Sequence, residues 1–170
     1  MRIRKAKSDD SAGLAKVQVD SYRTAYAGIF PQAYLDQFSY EEQEQDWRDW
    51  ISSRPEDVLY VAVLEPGGIV AYALARPGPT EIAPYDSELM ALHVVRPHQR
   101  QGIGRWLVAA VAGQLQQKGC SSLMLWVLEE NRARGFYERL GGHLLGESKV
   151  SWCEKLEVAY GWPEIEMLVP

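Results

Sequence analysis

The sequence predicts an α/β fold, with a central mixed and mostly antiparallel sheet of about seven strands and helices on both faces. One observation is a strand–helix–strand unit between residues 88 and 128, which implies a right-handed parallel crossover. A second is that most other strand-like segments follow one another through short turns, which implies antiparallel pairs. A third is the length of 170 residues, which fits a single domain over residues 1–170.

The chain opens with a predicted strand and a predicted helix. Residues 2–6 have the pattern of a short strand. Ser8 or Asp9 can then accept hydrogen bonds from the free N–H groups at the start of a helix. Along that helix Leu14 and Val17 recur at helical spacing, so we expect this face to lie in the core.

A second helix and a hairpin follow. Ser39 and Glu42 stand at the spacing of a capping box, which predicts a helix that starts at Ser39. Residues 58–64 and 69–75 are strand-like runs, and Pro66-Gly67-Gly68 between them predicts a hairpin turn. The Pro- and Gly-rich residues 76–85 predict a loop.

The second half of the chain has the clearest pattern. Residues 88–95 predict a strand, and residues 102–118 predict a helix that ends at Gly119. Residues 123–128 form a continuous apolar run, which is typical of a strand buried on both faces. The predicted order ends with a short helix over 131–140 and strands over 143–150 and 155–162.

The composition excludes several classes of function. A net charge of -5 argues against nucleic acid as the main partner. No apolar run approaches the roughly 20 residues that cross a bilayer, and no apolar stretch follows the basic N-terminus, so we expect neither a membrane partner nor a signal peptide. The two cysteines form no CxxC motif, which favours a reduced, cytoplasmic protein. The three histidines lack metal-ligand spacing, so we expect no metal site.

The bend between the strand at 88–95 and the helix at 102–118 reads QRQGIGR over residues 99–105. The first N–H groups of a helix lack intrahelical partners, and the helix dipole adds about half a positive charge there. Gly102 and Gly104 would allow a ligand to approach the backbone, and Arg100 and Arg105 add positive charge. The bend therefore predicts a phosphate or pyrophosphate site.

Two other interpretations of the bend can be compared with this one. The glycines can simply fit a strand–turn–helix corner, and the motif alone leaves that alternative open. A familiar nucleotide motif does not fit, because a dinucleotide fingerprint needs glycine where Leu107 stands. A P-loop needs Lys and Ser or Thr after its last glycine, whereas Arg105 and Trp106 follow Gly104.

Residues 99–104 resemble the Q/R-x-x-G-x-G/A signature of the GNAT superfamily of acetyltransferases. Residues 88–94 resemble the fourth strand of that family, and residues 125–131 and 135–142 resemble its fifth strand and fourth helix. Residues 22–31 look like the first helix and following loop of a bacterial subgroup, so the resemblance covers essentially the whole chain. It implies the GNAT fold, with the sheet splayed between strands 4 and 5.

The resemblance implies an N-acetyltransferase that uses acetyl-CoA as co-substrate, without a metal, and acts on a primary amine of a small molecule or peptide. The pyrophosphate would lie on the bend, and the pantetheine arm would pair with the fourth strand. The implied acetyl-CoA contacts are Leu92, His93, Val94, Gln99, Arg100, Gln101, Gly102, Ile103, Gly104, Arg105, Asn131, Phe136 and Tyr137.

The chain departs from the family pattern in two places. Pro97 stands one position later than the family's usual proline, which we interpret as an adjustment of the bend. Asn131 and Phe136 are five positions apart where relatives have six, and Glu130 has the usual spacing. Either Asn131 or Glu130 can therefore be the residue that faces the cofactor.

The resemblance also implies catalytic roles. Tyr137 matches the family's tyrosine near the CoA sulfur and is the candidate general acid, because a phenol can protonate a leaving thiolate. The alternative is that Phe136 and Tyr137 only form the buried stripe of a short helix. Glu88 is the candidate general base, acting through water; the other possibilities are Glu129 or no dedicated base. The oxyanion donor would be a backbone N–H near Val94.

The acceptor amine would meet residues of the first helix and the fifth strand. The candidate substrate contacts are Tyr22, Tyr26, Trp126 and Glu129. Most other tryptophans of this region, Trp47, Trp50, Trp152 and Trp162, are expected in the core.

Two functions from other classes compete with acetyl transfer. One is a non-catalytic module that binds acetyl-CoA as a sensor, which an acceptor cleft closed by aromatic side chains would favour. The other is an unrelated phosphate-binding α/β domain, which the absence of a gap between the fourth and fifth strands would favour. The chain is expected to be a monomer or a homodimer.

Overall fold

A single seven-stranded sheet runs through the protein, whose structure is a computed structural model that describes residues 1–150 and 153–169. Trp152 lies outside these residues. The strands are β1 (Arg2–Lys5), β2 (Val58–Leu64), β3 (Gly68–Pro77), β4 (Ser87–Val94), β5 (Leu123–Leu128), β6 (His143–Lys149) and β7 (Leu156–Trp162). Their spatial order is β1-β2-β3-β4-β5-β7-β6, and only the β4–β5 pair is parallel.

Helices cover both faces of this sheet. The α-helices are α1 (Ser11–Ala25), α2 (Gln32–Leu35), α3 (Tyr40–Ser53), α4 (Ile103–Gln117) and α5 (Arg134–Arg139). Short 3-10 turns occupy Ser8–Asp10, Arg96–His98 and Ile165–Leu168. The mixed α/β architecture predicted from the sequence is confirmed.

The strands divide their side chains between two cores. On one face, the apolar sides of α1 and α3 pack against β2 and β3, where Val61, Tyr72 and Leu74 are buried. On the other face, Leu107 and Val111 of α4 lie in a larger core that also receives the short alanines of β3. This division follows from the strand period of two, which sends successive side chains to opposite faces.

The sheet is splayed between β4 and β5. These two parallel strands pair at a single position, Glu88 with Met124, and separate beyond it. A β-bulge in β4 lies close by, because Ala75 pairs with Leu89 whereas Leu74 pairs with Ala91. Met90 is therefore the extra residue, and the bulge redirects β4 where the gap begins.

Several element boundaries differ from the predicted ones for local reasons. Neither Ser8 nor Asp9 caps α1, because a 3-10 turn precedes that helix; Asp10 instead accepts from the Lys7 N–H (2.7 Å) and pairs with Arg4. The helix predicted over 131–140 begins only at Arg134, because the Asn131 side chain accepts from the Ala133 N–H (2.9 Å) in a local turn. By contrast, Ser39 caps α3 as predicted and accepts from the Glu42 N–H.

The described part of the chain also bears on membranes and metals. None of its helices combines the length and the apolar character that crossing a bilayer requires. No three His, Cys, Asp or Glu side chains among these residues come together as a group that could hold a metal ion.

Candidate active site

A cleft of about 1190 Å³ opens at the gap between β4 and β5. Its floor consists of residues 89–94 of β4 and 126–128 of β5. Residues 21–29, at the end of α1 and in the turn after it, form one side. The bend before α4 and the region of α5 form the other side. The bend and the fifth strand, which are distant in sequence, therefore meet at one cavity.

The bend presents a run of free backbone N–H groups to this cleft. Gly102 caps α4 in the left-handed conformation (φ 82°), and Arg100 also has a positive φ of 61°. Trp106 donates the first α-helical bond, to the Gly102 carbonyl (3.1 Å). Among residues 1–150 and 153–169, nothing accepts from the N–H groups of residues 100–105. A curled backbone with several free N–H groups is an anion-binding concavity.

Glycine is needed at the two positions of the bend for different structural reasons. Gly102 adopts a φ that favours glycine. Gly104 instead lies against the α5 region, where an added Cβ would be 3.3 Å from the Phe136 ring. Close packing of α4 on Phe136 therefore explains Gly104, while the left-handed turn explains Gly102.

Positive charge gathers around the same end of the cleft. Its lining includes Arg96, Arg100, Arg105, Arg132 and Arg139. None of these side chains forms an ion pair with another described residue. In a chain with a net charge of -5, this unpaired cluster favours a ligand that carries several negative charges.

The edge of β4 offers further hydrogen-bonding groups. The Val95 N–H donates to Val70 in β3 (3.0 Å), whereas the Val94 carbonyl accepts from Nε2 of Gln99 (2.9 Å). Because the N–H and C=O of one strand residue point to the same side, the N–H groups of Val94 and Leu92 face away from β3, toward the gap.

Comparison with known proteins identifies the family. Residues 19–142 match the model of the Acetyltransferase (GNAT) family. The uncharacterized N-acetyltransferase YuaI of Bacillus subtilis (strain 168) is 37% identical over 168 residues, which cover 98% of this chain and 95% of that protein. The chain belongs to the GNAT family of acetyltransferases. The prediction of an N-acetyltransferase is confirmed, and an unrelated phosphate-binding domain is excluded.

Solved structures share the same GNAT fold. The PaiA N-acetyltransferase of Thermoplasma acidophilum, in complex with coenzyme A, has a TM-score of 0.76 at 18% identity, covering 95% of this chain and 98% of that one. The yncA protein of Salmonella typhimurium, with its cofactor acetyl-CoA, has a TM-score of 0.72 at 16% identity, covering 97% and 94%. At these identities the likeness concerns the fold.

The GNAT cleft contains all but three of the site residues predicted from the sequence. Gln101 does not line it, and its side chain donates to the Pro97 carbonyl (3.1 Å). Glu129 is exposed outside it, and Glu88 is the β4 residue that still pairs with β5. The others line the cleft: Tyr22, Tyr26, Leu92, His93, Val94, Gln99, Arg100, Gly102, Ile103, Gly104, Arg105, Trp126, Asn131, Phe136 and Tyr137.

Tyr137 combines a buried ring with a position on the cleft. The side chain is 7% exposed, and its ring contacts Phe136, Tyr160 and Trp162 at centroid distances of 5.3, 6.4 and 6.5 Å. Burial raises the pKa of Tyr137, so its phenol keeps its proton at neutral pH. Tyr137 therefore belongs to the core and also lines the cleft, and its role as general acid stays a prediction.

Glu88 is half-buried at the start of β4. Burial raises the pKa of its carboxyl group, Glu81 raises it further, and Arg76 lowers it. Glu157 of β7 shows the same behaviour, because burial, Glu81 and Glu88 all raise its pKa. Glu81, Glu88 and Glu157 therefore interact electrostatically, and of these three Glu157 lines the cleft.

Both candidates for the cofactor-facing position after β5 line the cleft. The Asn131 side chain is engaged by the Ala133 N–H, as described above. The Glu130 carboxylate pairs with Lys155 (2.7 Å). The two positions therefore differ in charge and partners but not in access to the cavity.

Aromatic rings line the wall of the cleft formed by α1. Tyr22 contacts Tyr26 at a centroid distance of 5.1 Å and His93 at 5.2 Å, and His93 in turn contacts Tyr72 at 5.2 Å. Burial lowers the pKa of His93 to about 4, so this ring is neutral at pH 7. Burial also raises the pKa values of Tyr22 and Tyr26. This wall is therefore polar but uncharged.

Sequence reasoning missed several residues of the cleft. Arg96, Arg132 and Arg139 line it, and the position of Arg96 and Arg132 in the turns that follow β4 and β5 was a signal that could have been used. Glu157 lines it because β7 lies next to β5, an order that the sequence pattern does not contain.

Proposed function

We propose that this N-acetyltransferase transfers the acetyl group of acetyl-CoA to a primary amine by direct attack of the amine nitrogen on the thioester carbon. A nitrogen–carbon bond forms, the carbon–sulfur bond breaks, the ammonium loses its proton, and the leaving thiolate gains one. The observation that supports this most strongly is the run of free N–H groups at residues 100–105, surrounded by unpaired arginines, at the mouth of a splayed sheet.

The groups along the cleft fit acetyl-CoA in order. The free N–H groups of the bend suit a diphosphate, and the arginines suit its negative charges. The N–H groups of Leu92 and Val94 on the open edge of β4 suit the amide groups of a pantetheine arm. A thioester at the end of that arm would lie between Leu92 and Trp126.

When bound, acetyl-CoA supplies an acetyl group activated as a thioester. Tyr137 donates a hydrogen bond to the departing sulfur, because its phenol is protonated at neutral pH. Burial makes the phenol of Tyr137 a weaker acid than that of an exposed tyrosine. Tyr137 therefore first stabilises the thiolate by a hydrogen bond, and any transfer of its proton follows. The Val94 N–H faces the gap and donates to the acetyl oxygen as negative charge develops on it.

Glu88 receives the proton that the attacking ammonium must lose. An alkylammonium has a pKa of about 10, so little free amine exists at neutral pH. The raised pKa of the Glu88 carboxyl group makes it a stronger base than an exposed glutamate. Because Glu88 stands beside the cleft and not in its lining, a water molecule carries the proton between them.

Glu157 in the lining of the cleft favours a cationic acceptor. Glu157 lines the cleft and interacts electrostatically with Glu88 and Glu81. Trp126 lies on β5, two residues before Leu128, which pairs with Glu157. Carboxylates beside an aromatic face attract an ammonium group, which supports an acceptor position near Glu157 and Trp126.

The test combines binding with turnover. Calorimetry should show acetyl-CoA binding, and a panel of primary amines should include acceptors that release free thiol from acetyl-CoA. Glu88→Gln should then remove the acidic limb of the pH profile of kcat/KM. Binding without thiol release from any amine would favour the sensor alternative, and an unaltered pH profile in Glu88→Gln would reject the base.

A further inference from the structure

Trp106 is an exposed aromatic side chain beside the bend at residues 99–105, the proposed diphosphate site. It belongs to the first turn of α4, whose inward side chains Ile103 and Leu107 are almost fully buried. Trp106 itself is 54% exposed and takes no part in either core. Burial within the described protein therefore does not account for a tryptophan at this position.

The indole ring leans over the loop. Long side chains on a helix point back toward its N-terminus. In agreement with this, Nε1 and Cδ1 of Trp106 stand 3.7 and 3.8 Å from the place of a Cβ on Gly102. Arg105 precedes Trp106 in the chain, and Arg100 lies two residues before Gly102. The ring therefore stands at the outer rim of a positively charged anion site.

The direction of the bound ligand follows from the site. The pantetheine arm runs inward from the loop along β4, so the nucleoside on the other side of the diphosphate must leave outward, across the exposed first turn of α4. We propose that Trp106 stacks on the adenine base of acetyl-CoA and is a positioning residue for it; this inference rests on the proposed function.

The chemistry of the Trp106 indole and of the adenine base agrees with this role. Every nucleobase has a flat π-face that stacks on an aromatic side chain, and loss of such a partner weakens binding about tenfold or more. The neighbouring arginines suit the phosphate that the 3′-hydroxyl of CoA carries. A tryptophan used this way needs a ring that a ligand can reach, and the Trp106 side chain is 54% exposed.

The experiment compares two ligands that differ only in the nucleotide. Calorimetry measures the binding of acetyl-CoA and of S-acetyl-4′-phosphopantetheine, which lacks the adenosine portion, to the wild type, Trp106→Ala and Trp106→Phe. Trp106→Ala should weaken acetyl-CoA binding about tenfold and leave the fragment unchanged. Trp106→Phe should keep most of the affinity because it retains a ring. Leu144→Ala, which alters an equally exposed apolar side chain on β6, is the matched control.

Fluorescence gives a readout that does not depend on turnover. Coenzyme A should quench the emission of Trp106, measured as the difference between the wild type and Trp106→Phe, and the fragment should leave this difference unchanged. Trp106→Phe should lose this quenching while it still binds.

The outcomes separate the two proposals. Unchanged acetyl-CoA affinity in Trp106→Ala, or an equal loss for both ligands, would overturn stacking. A change of oligomeric state in Trp106→Ala with unaltered acetyl-CoA affinity would assign the ring to a protein contact and would also overturn it. If neither ligand binds the wild type, the proposed function itself fails.

Discussion

Tyr137 is the residue whose role in turnover can be tested most directly. Its ring packs among Phe136, Tyr160 and Trp162, so the loss of the hydroxyl alone should leave α5 in place. We expect Tyr137→Phe to lower kcat about 100-fold, with little change in the KM for acetyl-CoA. Steady-state kinetics measures both quantities. Tyr40→Phe, on the exposed surface of α3, is the matched control, and a kcat like that of the wild type in Tyr137→Phe would reject the general acid.

His93 predicts a dependence of stability on pH. Burial lowers the pKa of its imidazole from 6.5 to about 4, so below pH 6.5 the unfolded chain binds a proton that the folded protein excludes. The stability that this difference contributes is therefore complete above pH 6.5 and is lost as the pH falls toward 4. His93→Phe should reduce the difference in unfolding free energy between about pH 7.5 and about pH 5 by about 2 kcal/mol.

Urea unfolding at the two pH values measures this effect. His143→Phe changes an exposed histidine at the start of β6 and is expected to behave like the wild type. Equal pH dependence in the wild type and in His93→Phe would show that another group determines acid stability.

The bend residues could be predicted from the sequence because an anion site at a helix start is local. The backbone of residues 99–105 needs only a strand before it and a helix after it, and both patterns are visible in the sequence. The destination of single side chains could not be predicted in this way. Gln99 donates to Val94 and Gln101 to Pro97, although both belong to the same motif. Glu157 reaches the cleft only because β7 lies between β5 and β6.

At the scale of one element, Gly102 caps α4 and Gly113 lies inside it, and alanine at these two positions is expected to change stability in opposite directions. Gly102 has a φ of 82°, so an alanine there would cost about 1 kcal/mol and would shift the N–H groups of the loop. Gly113 lies inside the helix, where an added Cβ would meet nothing within 4 Å. We expect Gly102→Ala to destabilise the protein and weaken acetyl-CoA binding about tenfold, and Gly113→Ala to stabilise it by about 0.5–1 kcal/mol.

Urea unfolding measures the stability of the two variants, and calorimetry measures their affinity for acetyl-CoA. The prediction is contradicted if Gly102→Ala binds acetyl-CoA as the wild type does, or if the two alanines change stability in the same direction.

The elements themselves were largely predictable, and their ends were not. The strong patterns of α4 and β5 fixed both elements to within a residue or so, because periodic apolar runs decide which face is buried. The short helix α2 was not predicted, since four residues give no period to detect. The gap between β4 and β5 came from the family resemblance, because a splay is a relation between two strands and leaves no local pattern.

At the scale of the whole molecule, two halves of the sheet meet at one pair of residues. Strands β1 to β4 form one half, and β5, β7 and β6 form the other; Glu88 and Met124 are the positions that pair between them. The cleft occupies the remaining length of this junction. A ligand that pairs with β4 would therefore fill the place where the sheet lacks strand contacts.

Charged side chains gather along the same junction, with unpaired arginines at the bend and near α5 and with Glu157 in the lining, coupled electrostatically to Glu88. The protein as a whole carries a net charge of -5, so a uniform surface would repel a ligand with several phosphates, and salt would reduce that repulsion. If local attraction by the arginines dominates, salt screens that attraction and weakens binding. We expect acetyl-CoA to bind about tenfold more weakly at about 500 mM NaCl than at about 50 mM.

Calorimetry at the two salt concentrations decides whether the net charge or the arginine cluster governs binding. The measurement is repeated on two arginine variants. Arg132→Gln removes one charge from the cleft and should weaken binding at low salt while reducing the salt dependence. Arg54→Gln removes the same charge from a side chain that stacks on Trp50 (4.6 Å) outside this cleft, and should leave the salt dependence unchanged. Binding that strengthens with salt, or equal behaviour of the two variants, would mean that the net charge and not the arginine cluster governs the approach of the ligand.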